Sequence, residues 1–264
     1  MRYIRLIVCG DSFTEGMSDE IVNGQFRGWG DRLADVMAQH VPEFTYANLA
    51  VRGKLVHQVV SDQVPLALSF VTGPETLVSF HAGANDVIRP KYKPESVLPL
   101  YAQAVRAIAA SGATVLLFTV LERTGATGKT AEIWESRFRR FNENVRAVGR
   151  EVGAIIAEAN EENLLSDRRF LAQDRLHLNS IGHDRVAQSL LEKLDLPFST
   201  RWREPLPPPA PAAWWRKSYE SLRWFVSFML PWIWRRIRGK SSGDGRAAKY
   251  PHPIAWPANQ ATPE

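Results

Sequence analysis

"IVCGDSFTEG" (residues 7–16) carries an apolar run into Gly10-Asp11-Ser12, the kind of place where a strand gives way to a helix. Two readings of that turn are open. Ser12 can cap the helix that follows, the common duty of a serine at such a boundary. Alternatively, its hydroxyl is presented to a substrate. The segment before it, "YIRLIVC" (3–9), is too apolar for a strand wetted on one face and reads as a strand covered on both sides.

The rest of the first 200 residues repeats that pattern. "FTYANLA" (44–50), "TLVSFHA" (76–82), "ATVLLFTV" (113–120) and "GAIIAEA" (153–159) are further strand candidates. Between them lie helical periodicities: 30–40, with Leu33, Val36, Met37 and His40 at three- and four-residue steps; 54–70, interrupted at Pro65; 94–111; and 130–151. A last helix carries Val186, Leu190, Leu191 and Leu194 after a cap at Asn179 or Ser180. Strand–helix alternation of this kind predicts a three-layer α/β/α sandwich, with a mostly parallel five-stranded sheet and right-handed crossovers.

Composition narrows the function classes. The 264 residues are 45% apolar and 23% charged, as in an ordinary globular protein. The single cysteine, Cys9, excludes an intramolecular disulfide and hence a disulfide-stapled secreted scaffold. No separate signal segment precedes the first strand, so a cytoplasmic protein is expected. The formal charge of +5 is unevenly spread: residues 201–264 hold 11 Lys/Arg against 4 Asp/Glu, a net +7, and the first 200 hold 22 against 24, a net −2. A nucleic-acid role for the main domain therefore has no electrostatic footing. The chain divides into a domain over 1–197, a Pro-rich linker over 198–213 containing "PLPPPAPAA", and a basic, aromatic extension over 214–264.

In open α/β sheets, active sites lie beyond the carboxyl ends of the strands. There the sequence offers Gly10-Asp11-Ser12, then "NLAVRG" ending in Gly53, then "HAGAND" with Asn85, and finally "DRLHLN" with Asp174 and His177 before the last helix. Each has an ordinary explanation: a helix cap, a turn glycine, an Asx-turn, a surface pair. Taken together and in this order they resemble the SGNH, or GDSL-type, hydrolases, with the resemblance covering residues 1 to about 195. It implies a flavodoxin-like fold, Ser12 as nucleophile, His177 as its base and Asp174 as the group orienting the imidazole. It also implies an oxyanion hole built from the Ser12 and Gly53 N–H groups and the Asn85 amide.

The expected activity is serine esterase chemistry on a small-molecule carboxylic ester or thioester (a lipid, acyl or acetylated-sugar substrate), through an acyl-enzyme. An acyltransferase using the same serine is the first alternative. A membrane- or glycan-binding protein with a vestigial site is the second. Asp86 and Arg89 read as structural, and Cys9 as inert in a buried strand. His57, His81 and His183 lack partners at metal-ligand spacing, so neither a metal site nor a cofactor is expected. Gly10 starts no G-x-G-x-x-G run. Specificity is assigned to the loops 17–29, 86–95 and 122–132.

The extension leaves two arrangements open. "WWRKSYESLRWFVSFMLPWIWRRIRGK" (214–240) has seven basic residues and one acidic, and its most apolar stretch, 224–234, is too short to span a bilayer. It either packs on the domain, the arrangement expected here, or lies peripherally at a membrane. The following "SSGDGRAAKYP" resembles the C-terminal end of one bacterial subgroup of these hydrolases, which favours a built-in element.

Overall fold

A computed structural model of the chain describes residues 3–122, 128–160, 165, 167–209, 214–238 and 241–257. The strands are β1 (Arg5–Gly10), β2 (Ile21–Val22), β3 (Gln25–Phe26), β4 (Thr45–Asn48), β5 (Thr76–His81), β6 (Thr114–Phe118), β7 (Ile155–Ala157) and β8 (Tyr250–Ala255). The helices are α1 (Ser12–Glu15), α2 (Gly28–His40), α3 (Val56–Asp62), α4 (Val64–Ser69), α5 (Ala84–Val87) and α6 (Pro94–Ala110). They continue with α7 (Lys129–Val152), α8 (Ser180–Lys193), α9 (Trp214–Trp224) and α10 (Leu230–Ile237).

The main sheet runs β7-β6-β5-β1-β4-β8. Every pair from β7 to β4 is parallel. Alternate residues of β1 serve two cores, as a strand's period of two requires. Leu6 and Val8 join Trp29, Leu33 and Met37 of α2 and Leu190 and Leu191 of α8. Ile7 and Cys9 face α3, α4, α6 and α7 through Val59, Ala67, Val105 and Phe141. All four β1 side chains are fully buried, so the three-layer architecture follows from a strand apolar on both faces.

Counting only the five parallel strands, the chain crosses from β4, on one side of β1, to β5 on the other. Strand order reverses at β1, and the crevice at the carboxyl ends of β1 and β5 is the topological switch point where such sheets bind ligands. The positions following those two strands are Asp11-Ser12 and Gly83-Ala84-Asn85.

Three features depart from the sequence-based expectation. The sheet has six strands, because β8 from the C-terminal extension pairs antiparallel with β4. Trp256 N–H donates to the Phe44 carbonyl (3.0 Å), and the register of β8 on β4 is irregular between Tyr46 and Asn48. Pro251 and Pro253 lack the N–H that further pairing would need, which an edge strand tolerates. Second, 54–70 forms two helices, with Pro65 in the first turn of α4, where it lacks no intrahelical bond. Third, the loop 17–29 contains the β2–β3 hairpin, turned by Asn23 and Gly24 at φ 52° and 76°. Of the loop 122–132, residues 123–127 lie outside the described residues.

The extension itself is divided between two situations. Lys249, Tyr250 and Trp256 are built into the body: the Lys249 ammonium is 2.8 Å from Asp31 Oδ1, and both aromatic rings pack on Tyr46. Residues before it in the linker also lie on the body, where Arg185 donates to the Glu204 carbonyl (2.9 Å). The rod formed by α9, a π turn at Phe225–Met229 and α10 leaves large apolar side chains in solvent.

Candidate active site

At the end of β1 the backbone is fixed by a side chain. Gly10 N–H donates to Gln63 Oε1 (2.7 Å) and its carbonyl accepts from Gln63 Nε2 (2.9 Å). A Cβ at Gly10 would come within 2.4 Å of the His81 carbonyl oxygen, so the close approach of β1 and β5 admits only glycine. The helix cap then falls to Asp11, whose Oδ1 accepts from Phe13 N–H (3.2 Å). Ser12 becomes the first residue of α1, its hydroxyl free for another partner.

That partner is His177. Ser12 Oγ lies 3.0 Å from His177 Nε2, and His177 Nδ1 lies 2.6 Å from Asp174 Oδ2. With Nδ1–H donated to the carboxylate, Nε2 is left to accept from the serine hydroxyl. Asp174 Oδ1 accepts from the N–H groups of Leu176 (2.9 Å) and His177 (3.0 Å). Burial acts to raise the Asp174 pKa, but the hydrogen bond and charge of His177 and these two N–H groups together hold it below the usual carboxylate range. Asp174 thus stays ionised.

The loop bearing both residues is closed on itself. Leu171 bridges to Leu178, Ala172 N–H donates to the His177 carbonyl (2.8 Å) and Arg175 N–H to the Ala172 carbonyl (3.0 Å). Asn179 ends it as the α8 cap, its Oδ1 accepting from Gly182 N–H (3.1 Å) while Nδ2 donates to the Arg169 carbonyl (2.7 Å). Asp174 and His177 therefore depend on local chain geometry for their pairing, and only the approach to Ser12 is long-range.

Asn85 and Gly53 complete the surroundings. Asn85 Nδ2 donates to Asp11 Oδ2 (2.9 Å) and to the Lys54 carbonyl (3.2 Å), the residue after Gly53. Asp11 is buried, and burial pushes its carboxyl up to about 6 against the opposing effects of Phe13 N–H, His177 and Asn85. Gly53 has φ +76° and its carbonyl accepts from Ser241 Oγ (3.3 Å). A side chain there would strain the backbone and strike that serine. The Gly53 loop is tied to the serine helix by Glu15, which accepts from Arg52 N–H (2.7 Å) and from its guanidinium. Beside Gly53, the tail residues Ser241 and Arg246 join Arg52 and Lys54 around a hollow of about 210 Å³.

All five residues singled out from the sequence are thus accounted for: Ser12, His177 and Asp174 in one hydrogen-bonded chain, Asn85 linked to the carboxylate next to Ser12, and Gly53 on the loop that Asn85 also touches. Asp86 accepts from Val56 N–H (3.0 Å) at the start of α3. His183 lies in α8, with Nε2 3.2 Å from the Met17 carbonyl. Burial pushes His81 and His183 down to about 4, and the Cys9 thiol up to about 12. Sequence inspection did not find Gln63, the Asp11 carboxylate, Glu15, or Trp224, whose indole N–H donates to the Asp174 carbonyl (2.7 Å). Asp11 and Glu15 lie within the opening motif, so their place there was a usable signal; Gln63 and Trp224 carry none.

Solved structures similar to this chain share its fold. Axe2, an acetylxylan esterase from Geobacillus stearothermophilus, is 16% identical with a TM-score of 0.58, over 75% of this chain and 97% of its own. The psychrotrophic esterase EstA from Pseudoalteromonas sp. is 14% identical with a TM-score of 0.56, over 73% and 97%. A member of the lipolytic G-D-S-L family from Veillonella parvula is 20% identical with a TM-score of 0.54, over 71% and 96%. No curated protein sequence matches. The model of the GDSL-like lipase/acylhydrolase family matches residues 8–185, from the strand leading into Ser12 to the second turn of α8, and the chain belongs to that family of ester-cleaving hydrolases.

Proposed function

We propose that the chain hydrolyses a carboxylic ester through an acyl-enzyme formed on Ser12. The observation that carries this reading is the unbroken sequence of contacts Ser12 Oγ–His177 Nε2 (3.0 Å) and His177 Nδ1–Asp174 Oδ2 (2.6 Å). As Ser12 Oγ attacks the ester carbonyl, its proton passes to His177 Nε2, and the ionised Asp174 stabilises the imidazolium. Collapse of the tetrahedral intermediate breaks the bond to the alcohol, which leaves with the proton from Nε2. Water, deprotonated by the same nitrogen, then adds to the acyl carbon and Ser12 is released with the acid.

The oxyanion of each intermediate is met by the N–H groups of Ser12 and Gly53 and by the Asn85 amide. Ser12 N–H opens α1 and so has no intrahelical acceptor. Of the two Asn85 hydrogen bonds, the 3.2 Å one to the Lys54 carbonyl is the longer. That N–H turns to the oxyanion, and the 2.9 Å bond to Asp11 holds the amide plane in place. Asp11 is accordingly a positioning residue.

A panel of p-nitrophenyl esters from acetate to palmitate, run on the wild type and on Ser12→Ala, tests the proposal. Turnover is expected only in the wild type, with both proteins equally folded by circular dichroism. Equal turnover by the variant would refute it.

A further inference from the structure

The rod α9–π turn–α10 spans about 36 Å at 1.5 Å per residue. In a straight α-helix a four-residue step overshoots one turn by about 40°, so Leu222, Val226, Leu230 and Trp234 would spiral around the axis. The π turn at Phe225–Met229 is wider and takes that drift back. It also relieves Pro231, which has no N–H to give to residue 227. The four side chains are left as one stripe, with Tyr219 and Phe225 beside it, and all six are between 43% and 63% exposed.

This stripe belongs to a strongly basic segment: residues 214–240 contain seven Lys/Arg and one acid, Glu220. The rod meets the body at Trp224, whose N–H holds the Asp174 carbonyl (2.7 Å) and whose ring lies 5.1 Å from the Arg175 guanidinium. On the loop of Asp174 and His177 that Trp224 grips, Leu176 is likewise 45% exposed. Among the described residues no helix is long and apolar enough to cross a membrane.

We propose that residues 214–238 form an in-plane docking helix for the surface of an anionic phospholipid bilayer. Its stripe enters the acyl boundary, Arg223, Arg235 and Arg238 pair with lipid phosphates, and the Asp174–His177 loop that Trp224 grips is held near the membrane. The charge settles the choice of occupant: a second copy of the same rod would oppose six cations to six cations, whereas anionic headgroups complement them. The consequence for substrate delivery rests on the ester-hydrolase reading above; the docking does not.

The test uses the full chain with vesicles of phosphatidylcholine alone or mixed with phosphatidylglycerol. Wild type is expected to sediment with the mixed vesicles, less so as salt rises from about 0.1 M to 1 M. Leu222→Asp combined with Leu230→Asp is expected to weaken sedimentation by about a hundredfold or more, since each buried leucine side chain is worth roughly tenfold. Hydrolysis of soluble p-nitrophenyl acetate should be unchanged in that variant, and hydrolysis of an ester carried in the vesicles should fall with binding. Equal sedimentation of both proteins, no sedimentation of either, or a wild-type dimer that the double substitution dissociates would each overturn the docking proposal. Sedimentation of a wild type that cleaves neither ester would uphold docking and overturn the hydrolase reading instead.

Discussion

Replacing Lys249 by methionine probes whether the C-terminal strand is part of the hydrolase body. The Lys249 side chain is 2% exposed and all three ammonium hydrogens are used: Asp31 Oδ1 at 2.8 Å, the Phe26 carbonyl at 2.7 Å and the Arg27 carbonyl at 2.8 Å. Methionine fills similar volume but takes a donor from the Phe26 and Arg27 carbonyls and leaves Asp31 with the Tyr46 hydroxyl (2.9 Å) as its remaining side-chain donor. Breaking a buried ion pair on one side costs about 3–5 kcal/mol. At roughly 2–4 °C per kcal/mol for a protein of this size, the melting temperature should drop by about 6–20 °C.

The loss should depend on pH with a definite sign. Burial already pushes Asp31 up to about 6, with Lys249 opposing the rise. A carboxyl raised in the folded state contributes stability that is present below its unfolded value of about 3.9 and is lost as pH rises through the folded one. Without the ammonium the carboxyl rises further, so the deficit of the variant should be small near pH 4 and grow above pH 6. Equilibrium denaturation at several pH values measures this. Adding Asp31→Asn to Lys249→Met should recover about 2 kcal/mol or more, because no unpaired charge remains. A loss below about 1 kcal/mol, or one independent of pH, would refute the assignment of a buried, fully bonded pair.

Two further outcomes follow from the same geometry. If the Asn85 amide acts as proposed on the developing oxyanion and not on the bound ester, Asn85→Ala should lower kcat by about 10²–10³ with little change in KM; a change confined to KM would argue against that role. A chain ending at residue 200 should fail to give a stable, active protein, because it strips β8 from β4 and leaves Tyr46 and Asp31 without Tyr250, Trp256 and Lys249; size-exclusion chromatography and turnover of p-nitrophenyl acetate decide it.

Most of the sheet was readable because its signals are local. Five apolar runs became β1, β4, β5, β6 and β7, since a parallel strand covered on both sides must be apolar at nearly every position. Asn179 was readable as a cap for the same reason: its side chain bonds to an N–H three residues on. The β8 strand was hidden by Pro251 and Pro253, which argue against a central strand and are compatible only with an edge, and nothing in the sequence told which edge was vacant.

The sequence by itself determined the three-layer plan, the turn that exposes Ser12, and the local Asp174–His177 pair, because each depends on residues a few positions apart. Only the tertiary structure decided that His177 reaches Ser12, that Gln63 clamps Gly10, that Asn85 is held by Asp11, and that Lys249 and Trp256 lock a sixth strand onto β4. These contacts join residues 53 to 221 positions apart. Their strength comes from burial, which removes water as the competing partner. Burial is a property of the packed whole, and no short window of sequence contains it.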